Sequence, residues 1–184
     1  MNKIAIIGIF LIGTLTSYAQ NDNNIETIRV DLNNNGIIDV IKPLNSYLEV
    51  KIDNRTYNIS YENDFGFENI GELEYKNKVI TISSQSQGTG LWTYTYKFRF
   101  NKSKNKIELI GYEDFNKWAS GSMTTSINLA TGKYEVKVEE WNEQKQDHDL
   151  KSYEGKNFFK KIYLEEIRQT DLSKLNEFGL QFTN

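Results

Sequence analysis

Residues 91–100 read Leu91-Trp92-Thr93-Tyr94-Thr95-Tyr96-Lys97-Phe98-Arg99-Phe100. Trp92, Tyr94, Tyr96, Phe98 and Phe100 alternate with Leu91, Thr93, Thr95, Lys97 and Arg99. Successive side chains of a β-strand point to opposite faces, so all five aromatics share one face. A helix would scatter them around its circumference. The stretch therefore predicts a strand whose aromatic face either packs on a core or, if uncovered, forms a binding platform.

The same period extends outward in both directions. Leu48, Val50 and Ile52 alternate, Asp53-Asn54 turns the chain, and Tyr57, Ile59 and Tyr61 alternate again, which predicts a hairpin. Leu73 and Tyr75 lead through Asn77-Lys78 into Val79, Ile80 and Ile82. Asn101–Asn105 joins the aromatic strand to a strand over 106–113. Residues 122–130 meet 133–141 across Thr131-Gly132, where glycine supplies turn geometry. Residues 142–157 are polar and read as a long loop, and Phe158–Ile167 as a further strand. Asp171 is placed to cap a short helix, with Leu172, Leu175 and Phe178 at helical spacing and Gly179 as its stop. About nine short strands with closely spaced turns predict one all-β domain, an antiparallel sandwich or barrel-like sheet with a short C-terminal helix.

The 184-residue chain has one histidine and no cysteine. Absent cysteine excludes disulfides, thiolate metal sites, a cysteine nucleophile and an acylated N-terminal cysteine. A lone histidine argues against a zinc enzyme or a histidine-based triad. A net charge of −3 argues against nucleic acid as a partner, which calls for a basic face.

Residues 1–19 read as a signal peptide. A basic start at Lys3 precedes an uncharged apolar run over 4–15, and Ser17-Tyr18-Ala19 forms a small-x-small cleavage site. The alternative is an uncleaved anchor, but twelve residues are short for a membrane span. Cleavage leaves residues 20–184 as a single domain of 165 residues, and loss of Lys3 moves the charge to −4. The protein is accordingly expected in the periplasm or secreted, not membrane-spanning, and held together without disulfides.

Residues 31–39 read Asp31-Leu32-Asn33-Asn34-Asn35-Gly36-Ile37-Ile38-Asp39. Oxygen-bearing side chains at the first, third and fifth positions, glycine at the sixth and Asp at the ninth match a calcium loop. The expected ligands are Asp31, Asn33, Asn35, the Ile37 carbonyl and Asp39, with Ile38 packing inward. Lys42 stands where a full EF-hand carries its bidentate glutamate, so the loop is of a shortened type. With two carboxylates the expected affinity is of the extracellular class, roughly 10⁻⁴–10⁻³ M. A missing ligand is left to Glu26, Asp22 or a distant loop. The competing reading is an asparagine-rich turn without metal.

No constellation points to catalysis. Asp147-His148-Asp149 lies in a charged stretch that reads as solvated loop. Neighbouring pairs such as Glu139-Glu140 and Glu165-Glu166 point to opposite faces of a strand and cannot act together across a cleft. No serine occupies a G-x-S-x-G elbow, and Gly88-Thr89-Gly90 is too short for a phosphate loop. We expect a non-enzyme. Contact candidates are the polar loop Ser83–Gly90 and the segment Trp118-Ala119-Ser120-Gly121-Ser122, together with Trp92. Trp92, Trp118 and Trp141 also leave a carbohydrate-binding module open.

The calcium loop, Gly90–Phe100 (GLWTYTYKFRF), Glu108–Glu113 (ELIGYE) and Ser126–Lys133 (SINLATGK) resemble a group of small exported bacterial β proteins. That group is similar to the periplasmic inhibitors of invertebrate-type lysozymes and their calcium-binding relatives, and the resemblance spans residues 25–140. It implies a β fold, a structural Ca²⁺ ion and a protein partner outside the cytoplasm. In such inhibitors a protruding loop with a Ser-Gly-x-Tyr pattern enters the lysozyme cleft. Ser120-Gly121-Ser122 matches its first three positions, and Met123 replaces the tyrosine.

Overall fold

A computed structural model of the chain describes residues 25–44, 46–60, 70–87 and 90–183. The signal-peptide segment, Asp22, Tyr61 and the Gly88-Thr89 part of the Ser83–Gly90 segment lie outside them. Eleven strands form two antiparallel sheets. The smaller sheet is the meander β1 (Ile28–Val30), β2 (Asp39–Pro43), β3 (Tyr47–Ile52) and β4 (Arg55–Ser60). The larger runs in chain order through β5 (Ile70–Lys76), β6 (Val79–Gln87), β7 (Leu91–Asn101), β8 (Lys106–Trp118), β9 (Gly121–Asn128), β10 (Lys133–Asn142) and β11 (Asp147–Lys156). Every pairing is between sequence neighbours, so tight turns suffice and no crossover is needed.

The aromatic strand is β7, and its middle is core. Tyr94, Tyr96 and Phe98 are buried, whereas Trp92 at its start is 43% exposed and Phe100 at its end is half-buried. Tyr96 packs on Tyr112 of β8 with ring centroids 5.5 Å apart. The β7–β8 register slips between Lys97 and Phe98, so Lys97 faces Gly111 while Phe98 faces Leu109. The extra residue, Ile110, reverses the alternation of β8: Ile107 and Leu109 are buried before it, Tyr112, Asp114 and Asn116 after it. A bulge of this kind shifts which alternate residues face inward, so that Ile107 and Leu109 before it and Tyr112 after it all reach the core.

One buried cluster joins Ile41, Leu48, Val50 and Ile52 of the small sheet to Ile80, Ile82, Phe98 and Ile107 of the large one. The remainder of the large sheet's inner face is covered by the C-terminal segment. There Tyr134 meets Phe178 at 4.9 Å and Tyr153 meets Phe182 at 4.9 Å between ring centroids, and the Tyr96 hydroxyl donates to Asn176 Oδ1 at 3.1 Å.

Four expectations are corrected. Ser83–Gln87, read as part of a polar loop, belong to β6 and pair with β7 from Ser83↔Thr95 to Gln87↔Leu91. Residues 147–156, read as loop, form the edge strand β11, paired residue for residue with β10 from Lys133↔Lys156 to Asn142↔Asp147. Polarity misleads there because both faces of β11 are largely solvated, leaving only Tyr153 to mark the inner side. Phe158–Ile167 is not a strand. It makes a single bridge, Tyr163 to Glu108, and a 3-10 turn over Leu164–Glu166. The helix, α1 (Gln169–Asn176), starts before Asp171. Arg168 holds the cap position and Asp171 lies in the first turn, where a carboxylate favours the positive end of the helix dipole. Gly179 does not end α1 but begins a 3-10 turn, Gly179–Phe182.

Candidate functional site

The loop between β1 and β2 closes on its own side chains. Asp31 accepts from the backbone N–H groups of Asn35 (3.0 Å) and Gly36 (2.8 Å). Asn33 Oδ1 accepts from Asn35 N–H and Asn35 Oδ1 from Ile37 N–H. Gly36 sits at φ +84°, a conformation that side chains disfavour, which explains glycine at the sixth position.

Asp39 is placed differently from expectation. It is 1% exposed and faces inward. Its Oδ2 accepts from Leu32 N–H at 2.9 Å and its Oδ1 from Asp53 N–H at 3.0 Å. Asp39 thus locks the loop to the β3–β4 turn. Ile38 does not pack inward: it is 59% exposed, and Leu32 anchors the loop in its place. The pleat decides this, since Asp39 points into the core and its neighbour must point out. Asp39→Ala leaves both N–H groups without their acceptor, and we expect a loss of about 2 kcal/mol in urea unfolding.

The group missing from the sequence reading is Asp53. Its Oδ1 accepts from Asn33 Nδ2 at 2.8 Å and Asn35 Nδ2 at 2.5 Å, across the sheet from the loop. Chiefly the Asn33 amide, with Asn35 and Arg55 adding, holds the Asp53 carboxyl below the usual carboxylate range. The Asp53-Asn54 turn was visible in the sequence, but its position beside the loop follows only from the β2–β3 register, Val40↔Lys51. The mouth of the loop therefore presents Asp31, Asn33, Asn35 and Asp53. Among the described residues no three or more His, Asp or Glu side chains gather at metal-ligand spacing.

The contact candidates converge elsewhere, at one end of the large sheet. Trp118 is the last residue of β8, Ala119-Ser120 make the turn, and Gly121-Ser122 open β9. The Ser120 carbonyl accepts from Trp141 N–H at 2.8 Å, which ties the turn to β10. Ser122 Oγ donates to Glu139 Oε2 at 3.2 Å. Gly121 is required by crowding: a Cβ there would overlap the Glu139 carbonyl oxygen. Gly121→Ala should cost about 2 kcal/mol by overpacking, read as a lower urea midpoint.

Two clefts flank this turn. One, of about 440 Å³, is lined by Lys117, Trp118, Ser122, Thr124, Glu139 and His148 among others. The second, of about 550 Å³, is lined by Trp118, Ser120, Glu140, Trp141, Leu180 and Thr183. Trp118 belongs to both. Trp141 is 43% exposed and meets His148 edge-on at 5.3 Å, and Glu140 pairs with Lys151 at 3.0 Å. Trp92 lines neither cleft but lies at the same end, on the same face as Asn116, its partner on β8. Met123, which stands at the tyrosine position of the resemblance, is fully buried. Sequence reasoning does not bring Glu139, His148, Leu180 and Thr183 to the turn: Glu139 comes through the β9–β10 register, His148 through β11, whose residues read as loop, and Leu180 and Thr183 through the packing of the C-terminal segment.

No family model, curated protein or solved structure matches this chain. Among the described residues no helix is long and apolar enough to cross a membrane.

Proposed function

We propose that this is an exported, non-catalytic β protein that binds a protein partner through the end of the large sheet, around Trp118-Ala119-Ser120-Gly121-Ser122. The observation that carries the reading is the pair of clefts on either side of one backbone-anchored turn, with Trp118 lining both. Aromatic side chains in such a setting are the usual anchors of an interface. The resemblance to inhibitors of invertebrate-type lysozymes suggests a wall hydrolase as the partner. Met123 is buried and offers nothing to the contact, which rests on Trp118–Ser122 and the residues lining the two clefts beside it. Purified protein at micromolar excess is expected to slow cell-wall lysis by an invertebrate-type lysozyme, followed as turbidity; unchanged lysis by that enzyme and by other animal-type and bacterial lysozymes contradicts the inhibitor reading. A second reading is favoured by Trp118 and Trp141 lining one cleft: a glycan ligand, tested by a glycan array.

The loop 31–39 is proposed to take a structural Ca²⁺ ion. Its support is the donor set, two carboxylates (Asp31, Asp53) and two amides (Asn33, Asn35), which are hard oxygen ligands. Asp53 is our candidate for the ligand left open in the sequence, since its carboxylate already meets Asn33 and Asn35. The ion would tie the β1–β2 loop to the β3–β4 turn. At 5 mM calcium and the affinity class above, it contributes about 1–2 kcal/mol, a rise in Tm of about 3–6 °C over chelator. Asp53→Asn should remove at least half of that rise. No shift between calcium and chelator sinks the proposal.

A further inference from the structure

A third cavity, of about 250 Å³, is lined on one side by Asp31, Leu32 and Asn34 of the β1–β2 loop. Three segments distant in sequence bring cations to it: Lys78 from the β5–β6 turn, Arg99 from β7 and Lys102 from the β7–β8 turn. Tyr75, Phe100 and Leu32 supply the less polar wall, and Asp31 is the one carboxylate lining it.

Two features set this group apart from an ordinary charged surface. First, nine ion pairs are formed among the described residues, and none of them involves Lys78, Arg99 or Lys102. In a chain of net charge −3, three cations outside the ion pairs of the described residues, against the one carboxylate Asp31 on the cavity wall, leave a local excess of positive charge; Glu108, which faces Arg99 across the sheet, is itself paired with Lys161. Second, Lys78 sits at φ +64°, after Asn77 at φ +52°. That is the turn geometry in which glycine is preferred at the second position, and a lysine there stands in a disfavoured conformation.

We infer that this cavity is a binding site for a doubly charged oxyanion, phosphate or sulfate, free or carried on a larger molecule. Arg99 offers a planar fork of donors that matches two oxygens of such a group, and Lys78 and Lys102 act as point charges beside it. The partly apolar wall lowers the local dielectric and so strengthens the attraction. Asp31 opposes binding, so the anion must sit toward the Lys78–Arg99–Lys102 side. The site is separate from the Trp118 surface and does not depend on the calcium reading.

The test is a titration of the full chain with sodium phosphate in chelator, followed by amide NMR, with sodium chloride at matched ionic strength as control. Saturable shifts are expected at Asn34, Lys78, Arg99 and Lys102, with none of that pattern in chloride. Arg99→Gln and Lys102→Gln, both exposed and expected to fold, should each weaken binding about tenfold, the loss of one charge-assisted contact. Glycerol phosphate in a parallel titration separates the sources: binding tighter than phosphate identifies a phosphomonoester, and equal binding the free anion. Shifts that match chloride, or variants that bind as well as the parent, overturn the inference.

Discussion

Phe98→Ala is expected to lower the unfolding free energy by about 4 kcal/mol, read from the midpoint of urea denaturation at constant m-value. Phe98 is fully buried where the two sheets meet. It also sits at the bulge, facing Leu109 while its neighbour Lys97 faces Gly111. The ring fixes the point at which β8 reverses its inward face, so neighbours cannot simply collapse into the space. Trp92→Ala, six residues earlier on the same face but 43% exposed, should cost less than about 1 kcal/mol, as expected of a surface position. Similar losses at the two positions would show that the aromatic face is not divided into core and rim.

Asp114→Asn is expected to stabilise the protein at neutral pH, by up to about 3 kcal/mol. Asp114 is 3% exposed on the inner face of β8. Burial pushes its carboxyl from 3.8 up to about 6, although the Tyr112 hydroxyl donates to Oδ2 at 2.8 Å and Thr125 N–H to Oδ1 at 3.1 Å. The folded state therefore holds a proton that the unfolded chain gives up between about pH 4 and pH 6. Stability is highest below that window, falls as the pH rises through it, and stays reduced above it. A shift of this size corresponds to about 3 kcal/mol. Asparagine keeps the Thr125 N–H contact on its oxygen and reverses the other, its amide donating to the Tyr112 oxygen, without the buried charge. Urea midpoints of the parent should decline from pH 4 to pH 7, and those of Asp114→Asn should not. The same Asp114 field, behind the larger effect of burial, pushes the Tyr94 hydroxyl up to about 12.

The period-two pattern makes the antiparallel all-β fold legible in the sequence. The hairpins at Asp53-Asn54, Asn77-Lys78, Asn101–Asn105 and Thr131-Gly132 all join the strands expected of them. What stayed hidden has physical reasons. β11 carries Asp147, His148, Leu150 and Lys151 exposed alike, because an edge strand needs little burial to pair. Phe158–Ile167 has apolar residues at strand spacing, yet only Tyr163 bridges the sheet.

At the sites, the motif residues Asp31, Asn33 and Asn35 fell together as the spacing implied, since they are local in sequence. Asp53 and the inward turn of Asp39 depend on strand register, which spacing along one segment does not encode. Likewise, Trp118 and Ser120–Ser122 were legible as a polar turn with an aromatic. Their neighbours Trp141, His148 and Leu180 come from three later elements and meet them only through the pairing of β9, β10 and β11 and the C-terminal segment.

The claim that the Trp118–Ser122 turn is the contact surface is tested most directly by the affinity of the purified protein for immobilised invertebrate-type lysozyme, compared with that of Ser120→Arg. The Ser120 side chain lines the second cleft while its carbonyl is fixed to Trp141. The substitution therefore adds bulk and charge at the surface without disturbing the backbone bond. The account predicts binding by the parent and a loss of at least about a hundredfold in the variant, some 3 kcal/mol, with Tm unchanged. Equal binding by both, or none by the parent, would contradict it.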